Sequence, residues 1–198
     1  MLSYCNKSMA YLKVEVDTDE DPQVSPSYTD IPAIYPLGHS LAATYLVNEG
    51  DFFSYVANRH IEEAGLSLEE LHTRAVANLT KSVEQRVEVH PYGNIFSVLC
   101  GGHFEASILM VDRFWTEGYS QLIQNGFAVA FPARDLLAFG DVTSNTAISE
   151  LKDLWKRVPN KVDHPLTLEL YKRVGHSWQP LGGQPLQRTR DVRRFNIE

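Results

Sequence analysis

The run Gly101-Gly102-His103-Phe104-Glu105-Ala106-Ser107, with an apolar stretch after it and then Phe131-Pro132-Ala133-Arg134-Asp135, constrains this chain more than any other feature. Ionisable side chains stand there among residues that otherwise read as core. A charge beside apolar neighbours needs a partner, and that partner is either structural or functional. If a helix begins at Gly102, Glu105 takes its third position. There the carboxylate can reach back to a free backbone N–H and feels the positive end of the helix dipole. The same N–H groups, beside glycines that present no side chain, can instead hold a ligand anion, with His103 and Glu105 as an acid/base pair. Both readings stand on the sequence.

Phe104, Ile108, Val111 and Trp115 recur at four, three and four residues, which predicts a helix over this stretch. Glu105 and Asp112, seven apart, then share one side of it, with Arg113 and Thr116 adjoining. That arrangement is either a solvated polar stripe or one wall of a site. Arg134 and Asp135 follow a strand of buried character. They read either as an ion pair tying a strand end to another element or as a carboxylate-binding arginine with its orienting acid.

Other chemistries find little to stand on. Cys100 precedes Gly101-Gly102 and His103, but nearness in sequence does not supply the contact that a cysteine nucleophile and its base require. The seven histidines form no metal signature: there is no HExxH, and His60 and His72 lack a third ligand at a suitable spacing. The acidic cluster Asp17-Thr18-Asp19-Glu20-Asp21 fails as a calcium loop, because Pro22 stands where glycine is needed and Tyr28 where a bidentate glutamate is needed. Gly101-Gly102 and Gly182-Gly183 lack the surrounding pattern of a nucleotide loop. No cofactor, metal or catalytic set is expected.

The chain has 198 residues, enough for one domain without a covalent staple. A formal charge of −7 argues against nucleic acid and anionic membrane as partners and is compatible with a basic protein partner. Two cysteines, Cys5 and Cys100, make no disulfide framework, which points to a cytoplasmic setting. Met1 to Asp21 has no apolar run of signal-peptide type, and the longest apolar runs are too short to span a bilayer.

Along the chain, residues 1–36 read as an N-terminal arm and linker, with one strand over Ala10–Val16 and a proline-marked coil from Pro22 to Pro36. A single domain is expected over 37–181, and 182–198 as a polar tail bearing Arg188, Arg190, Arg193 and Arg194. Strands are predicted at Leu41–Val47, Phe52–Val56, Val87–His90, Ile95–Cys100, Phe127–Phe131 and Leu136–Phe139. Leu166–Val174 alternates strictly, turns at Gly175-His176 and returns over Ser177–Leu181. Asn58 is the expected N-cap of a short helix stopped by Gly65. Ser67-Leu68-Glu69-Glu70 is a capping box that opens an amphipathic helix to about Gln85. A last helix covers Thr146–Arg157. Asn78-Leu79-Thr80 matches a glycosylation sequon but falls inside the predicted helix. Hairpins dominate, so the expectation is an α+β fold: a mostly antiparallel sheet with helices on one face, and the order strand, strand, helix appearing twice.

Leu41–Leu79, with Asn48-Glu49-Gly50, Tyr55-Val56, Gly65-Leu66-Ser67 and Glu69-Glu70-Leu71-His72, resembles the YtpQ-like family of bacterial proteins. So do Gly102-His103-Phe104-Glu105-Ala106-Ser107, Trp115 and Pro132-Ala133-Arg134-Asp135. The likeness runs from Ile34 to Leu181. The family's usual Gly-Asn-Tyr-Glu-Ala-Ser run has His103-Phe104 in place of Asn-Tyr here, so no role of that asparagine carries over. The resemblance implies one domain in a bacterial cytoplasmic setting and carries no activity. The functional expectation is a non-enzymatic, protein-binding domain, in one specific form an immunity-like domain masking a basic partner. The alternative is a small-anion binder or enzyme built on Glu105, Arg134 and Asp135.

Overall fold

The computed structural model describes residues 2–14, 27–157 and 164–182. The acidic cluster, residues 22–26 of the proline-marked coil and the arginines of the tail lie outside the described residues. Among the described residues ten strands and four α-helices occur, beginning with α1 (Leu2–Lys7), β1 (Met9–Val14), β2 (Tyr35–Gly38), β3 (Leu41–Asn48), β4 (Phe53–Tyr55), α2 (Asn58–Ala64), α3 (Leu68–Arg86), β5 (Glu88–Tyr92) and β6 (Ile95–Leu99). After a segment of short turns come β7 (Phe127–Ala133), β8 (Leu136–Asp141), α4 (Asn145–Arg157), β9 (Tyr171–Val174) and β10 (Ser177–Pro180).

The fold is α+β, and every strand pairing among the described residues is antiparallel. The strands form two sheets, however, where the sequence suggested one. The first runs β1-β3-β2 with β4 on the far end of β3; the second runs β10-β9-β7-β8-β6-β5. Each expected strand-strand-helix succession is present as an order of elements, one in each sheet.

Residues 2–14 are not an arm. β1 pairs with β3 along its whole length, Leu12 facing Ala43, and Cys5, Ala10, Tyr11 and Leu12 are buried in the core. A strand that shares a ladder with the middle of a sheet is part of the domain. Asn78 of α3 reinforces this: its side-chain amide donates to the carbonyls of Asn6 and Ser8, 2.8 Å each. The sequon asparagine thus has a structural partner.

α3 forms as its capping box dictates. Ser67 Oγ accepts from the Glu70 N–H at 3.2 Å and Glu70 Oε2 accepts from the Ser67 N–H at 2.8 Å. Its stripe of Leu71, Ala75, Leu79 and Val83 is buried, packed largely on β1. Ser144 Oγ caps α4 through the Ala147 N–H, and α4 lies over β7 and β8. Small residues permit that approach: a Cβ added at Gly140 would come within 2.9 Å of Ala147 Cβ. α2 starts one residue earlier than expected, with Ala57 as N-cap and Asn58 inside the helix; Gly65 ends it in the left-handed conformation at φ 64°.

The main core draws on both sheets and on the segment between β6 and β7. The helix expected from Phe104 to Trp115 is absent. A 3₁₀ turn at Ala106–Met110 and a wide turn at Phe114–Gly118 replace it. Phe104 to Leu109 are buried without interruption. A segment buried on all sides needs no amphipathic period, so the four-three-four spacing carried no helical information. Two indoles take carbonyls of this segment: Trp115 Nε1 donates to Ile108 and Trp178 Nε1 to Leu109, 2.9 Å each. Trp115 itself lies edge-on to Phe127, Phe139 and Trp178. Residues 166–170 are also not strand, because Leu166 and Leu170 are buried while Leu168 is exposed.

Candidate functional site

Glu105 stands at the centre of the signature run, and its side chain is fully engaged. Oε1 accepts from the backbone N–H of Cys100 and of Gly102, 2.7 Å each, and Oε2 from the Phe104 N–H at 3.1 Å. The residue is 2% exposed. Gly101 and Gly102 turn the chain through two consecutive left-handed conformations, φ 85° and 83°. That reversal aims three N–H groups at one carboxylate. It resembles a ligand-anion cradle in which the anion is the protein's own.

The next two residues each fasten a different element. The Ala106 N–H donates to the Arg134 carbonyl at 3.0 Å, and Ser107 Oγ accepts from the Leu12 N–H at 3.0 Å. Glu105-Ala106-Ser107 therefore ties together the end of β6, the β7–β8 turn and β1 of the other sheet. Arg134 and Asp135 are the two residues of that β7–β8 turn, between paired Ala133 and Leu136. The Arg134 N–H also donates to the His164 carbonyl at 3.3 Å. The Glu105 and Arg134 segments meet through backbone, and one oxygen of Asp135, Oδ1, is buried without a hydrogen-bond partner among the described residues.

The remaining sequence candidates lie apart from Glu105. His103 is exposed, with its ring 5.6 Å from that of Phe53. Asp112 belongs to another cluster: its Oδ1 pairs with the Arg173 guanidinium and accepts from His176 Nδ1 at 3.0 Å. Burial opposes ionisation of Asp112, but hydrogen bonds from His176 and Arg173 outweigh it and hold the carboxyl below its ordinary pKa. Arg173 in turn lies over the Trp178 ring. Cys5 and Cys100 are buried thiols whose pKa burial raises, so neither is an activated nucleophile. Among the described residues no group of three or more His, Cys, Asp or Glu side chains is placed to hold a metal ion. No described helix is long and apolar enough to cross a membrane.

A groove of about 380 Å³ opens beside Asp112, between α3 and the β9–β10 hairpin. Leu12, Leu41, Val76, Leu109 and Trp178 give it apolar walls, and His72, Asp112 and His176 bring polar groups to it. Its volume is in the range of small-ligand sites. Glu105, Arg134 and Asp135 do not line it.

His72 is held by two tyrosines in this groove. Its Nδ1 lies 3.2 Å from the Tyr45 hydroxyl, and the Tyr35 ring stacks flat on it at 4.1 Å and 7°. Tyr35 is held in turn by its hydroxyl donating to Glu69 Oε2 at 2.8 Å. Burial lowers the His72 pKa against the opposing charge of Glu69, and burial raises that of Tyr45. The Tyr45 hydroxyl occupies Nδ1, which leaves Nε2 as the nitrogen for another partner. Sequence reasoning weighed His72 only as a metal ligand and assigned nothing to Tyr35, Tyr45, Arg173 or Trp178. The one available signal was its spacing: His72 lies four residues after Leu68, on the border of the apolar stripe of α3.

These features define an α+β protein of two antiparallel sheets, with a self-occupied anion cradle between them and an apolar groove on one flank. Comparison with known protein families, with curated proteins and with solved structures returns no match to this chain.

Proposed function

We propose that the chain is a non-enzymatic binding domain that takes an apolar element of a basic protein partner into the groove between α3 and the β9–β10 hairpin. The observation that carries this reading is the saturation of Glu105 by three backbone donors, which leaves the signature run no free carboxylate for acid/base work or for orienting an anion. The groove supplies apolar surface with polar groups around it, the usual make-up of a recognition site. The charge of −7 favours a basic partner by electrostatic steering. An immunity-like role, masking a basic toxin, is the specific form of this proposal. Membership of the YtpQ-like family belongs to the same proposal; the contact between Ala106 and Arg134 supports it, because it joins the two runs that carry the resemblance.

The test is affinity capture with the intact chain and with two groove variants, Thr73→Trp, which fills the groove, and His176→Ala. The expected result is one stoichiometric basic partner captured by the parent and lost with Thr73→Trp. Absence of such a partner, or equal capture by the filled variant, overturns the reading.

A further inference from the structure

His60 is the one buried histidine of the described core, at 9% exposure, and it touches α1 through both its ring and its backbone. Its Nδ1 accepts from the Ala57 N–H at 3.0 Å. A histidine at the third helical position thereby does what glutamate or glutamine does in a capping box, reaching back to the N-cap amide. Since Nδ1 accepts, the ring carries its single proton on Nε2 and is neutral. Its carbonyl accepts from the Cys5 thiol at 3.4 Å, and the Tyr4 ring lies 4.8 Å from the imidazole. α1 has only six residues, too few to be helical in isolation, so its order depends on this docking. The far end of α1 is fastened independently. Asn78 binds the Asn6 and Ser8 carbonyls, and Arg74 donates to Asn6 Oδ1 at 2.8 Å.

We propose that His60 is a pH-sensitive catch for α1: protonation of its ring ejects the Ala57 amide and frees Leu2–Cys5 to swing out from α2 about the fastened Asn6–Ser8 hinge. A protonated imidazole has donors at both nitrogens, so Nδ1–H would face the Ala57 N–H. The charge would also sit in a buried place among Tyr4, Cys5 and Ile61. Burial lowers the His60 pKa, Arg59 and the amino terminus act in the same direction, and Glu63 opposes them. From the other elements, the Arg59 charge is shared with Asp30 through an ion pair, and Arg74 of α3 acts on the Cys5 thiol. Among the described residues no carboxylate bonds the ring, so only the Coulombic pull of Glu63 offsets the charge when the proton arrives, and burial outweighs it.

The experiment labels the native full-length chain with 4,4′-dithiodipyridine, a reagent that reacts with thiols in acid, and maps the modified cysteines by mass spectrometry. Rates are normalised to the unfolded chain at each pH. Cys5 labelling is expected to rise by about tenfold between pH 7.5 and 5.5, the limit set by a histidine that titrates near 6.5 only when released. Cys100, buried in the same core, is expected to stay protected. His60→Asn places a neutral acceptor where Nδ1 stands and is expected to flatten the Cys5 profile. A flat parental profile, an unchanged profile in His60→Asn, or Cys5 and Cys100 rising together overturns the catch. If His60→Asn does not fold, the comparison of Cys5 with Cys100 in the parent decides alone.

Discussion

Glu105 Oε1 lies 2.7 Å from the backbone nitrogen of Cys100, five residues earlier, and so closes the chain reversal that ends β6. The same oxygen holds Gly102, and its partner oxygen holds Phe104. Replacing Glu105 by Gln turns one acceptor into a donor that faces a donor. The expected loss is about 2–4 kcal/mol of unfolding free energy, since charge-assisted bonds are among the strong ones and a buried unmet N–H is costly. Chemical denaturation of Glu105→Gln and Glu105→Ala measures it. Variants as stable as the parent would remove the structural role assigned here.

Acid is expected to weaken the fold through its two histidines of lowered pKa. His60 and His72 both have folded pKa values lowered chiefly by burial. The unfolded chain, titrating near 6.5, then takes up protons first as pH falls. Their contribution is complete above about pH 6.5 and is lost as pH drops from there toward the folded values, by at most about 1.4 kcal/mol per unit for each histidine. The groups held low, Asp112, Asp141 and Glu70, act only at more acid pH. Denaturation midpoints at pH 7.5 and 5.5 should therefore differ, and His60→Asn with His72→Asn should shrink the difference. A double variant with the parental slope would contradict this assignment.

The β5–β6 turn depends on Glu150 of α4, whose Oε2 accepts from the Asn94 N–H at 2.8 Å. Gly93 has φ 63°, and a Cβ there would meet Glu150 Oε2 at 2.5 Å. Gly93→Ala is expected to cost about 1–3 kcal/mol, from the strained backbone together with loss of the cap. In a cycle with Glu150→Ala the two costs should be less than additive, because the second change removes what the first collides with. Strict additivity would separate the turn from α4.

β5 is an edge strand of the larger sheet, and Pro91 sits in it opposite Phe96. With Tyr92 and Ile95 closing the two-residue turn, the alternation of an antiparallel pair points position 91 away from β6. Proline there removes an outward donor and blunts the edge against pairing with another chain. Pro91→Thr restores that donor and is expected to increase concentration-dependent self-association in sedimentation velocity. An unchanged distribution would deny Pro91 this protective part.

Elements whose signal lies in near neighbours were legible in the sequence. Ser67 and Glu70 made the start of α3 readable, because a capping box is satisfied within four residues. Gly65 marked the end of α2, and Gly175-His176 placed the β9–β10 turn. The antiparallel α+β class followed from short strands joined by tight turns. Sequence alone also picked out Glu105 as a residue that must have a partner.

Tertiary structure decided the rest. The Phe104–Trp115 stretch lost its expected helix because the core buries Phe104 to Leu109 without interruption, a condition its own spacing cannot express. Residues 2–14 joined the core because β3, some thirty residues later, offered them a ladder. Asp112 found Arg173 and His176 more than sixty residues away, and His72 became a groove residue when Tyr35 and Tyr45 closed on it. Local hydrogen bonding and turn chemistry act over a few residues and can be read in order along a chain. Which apolar surfaces meet, and which polar groups are trapped between them, is settled only when distant segments compete for the same buried volume.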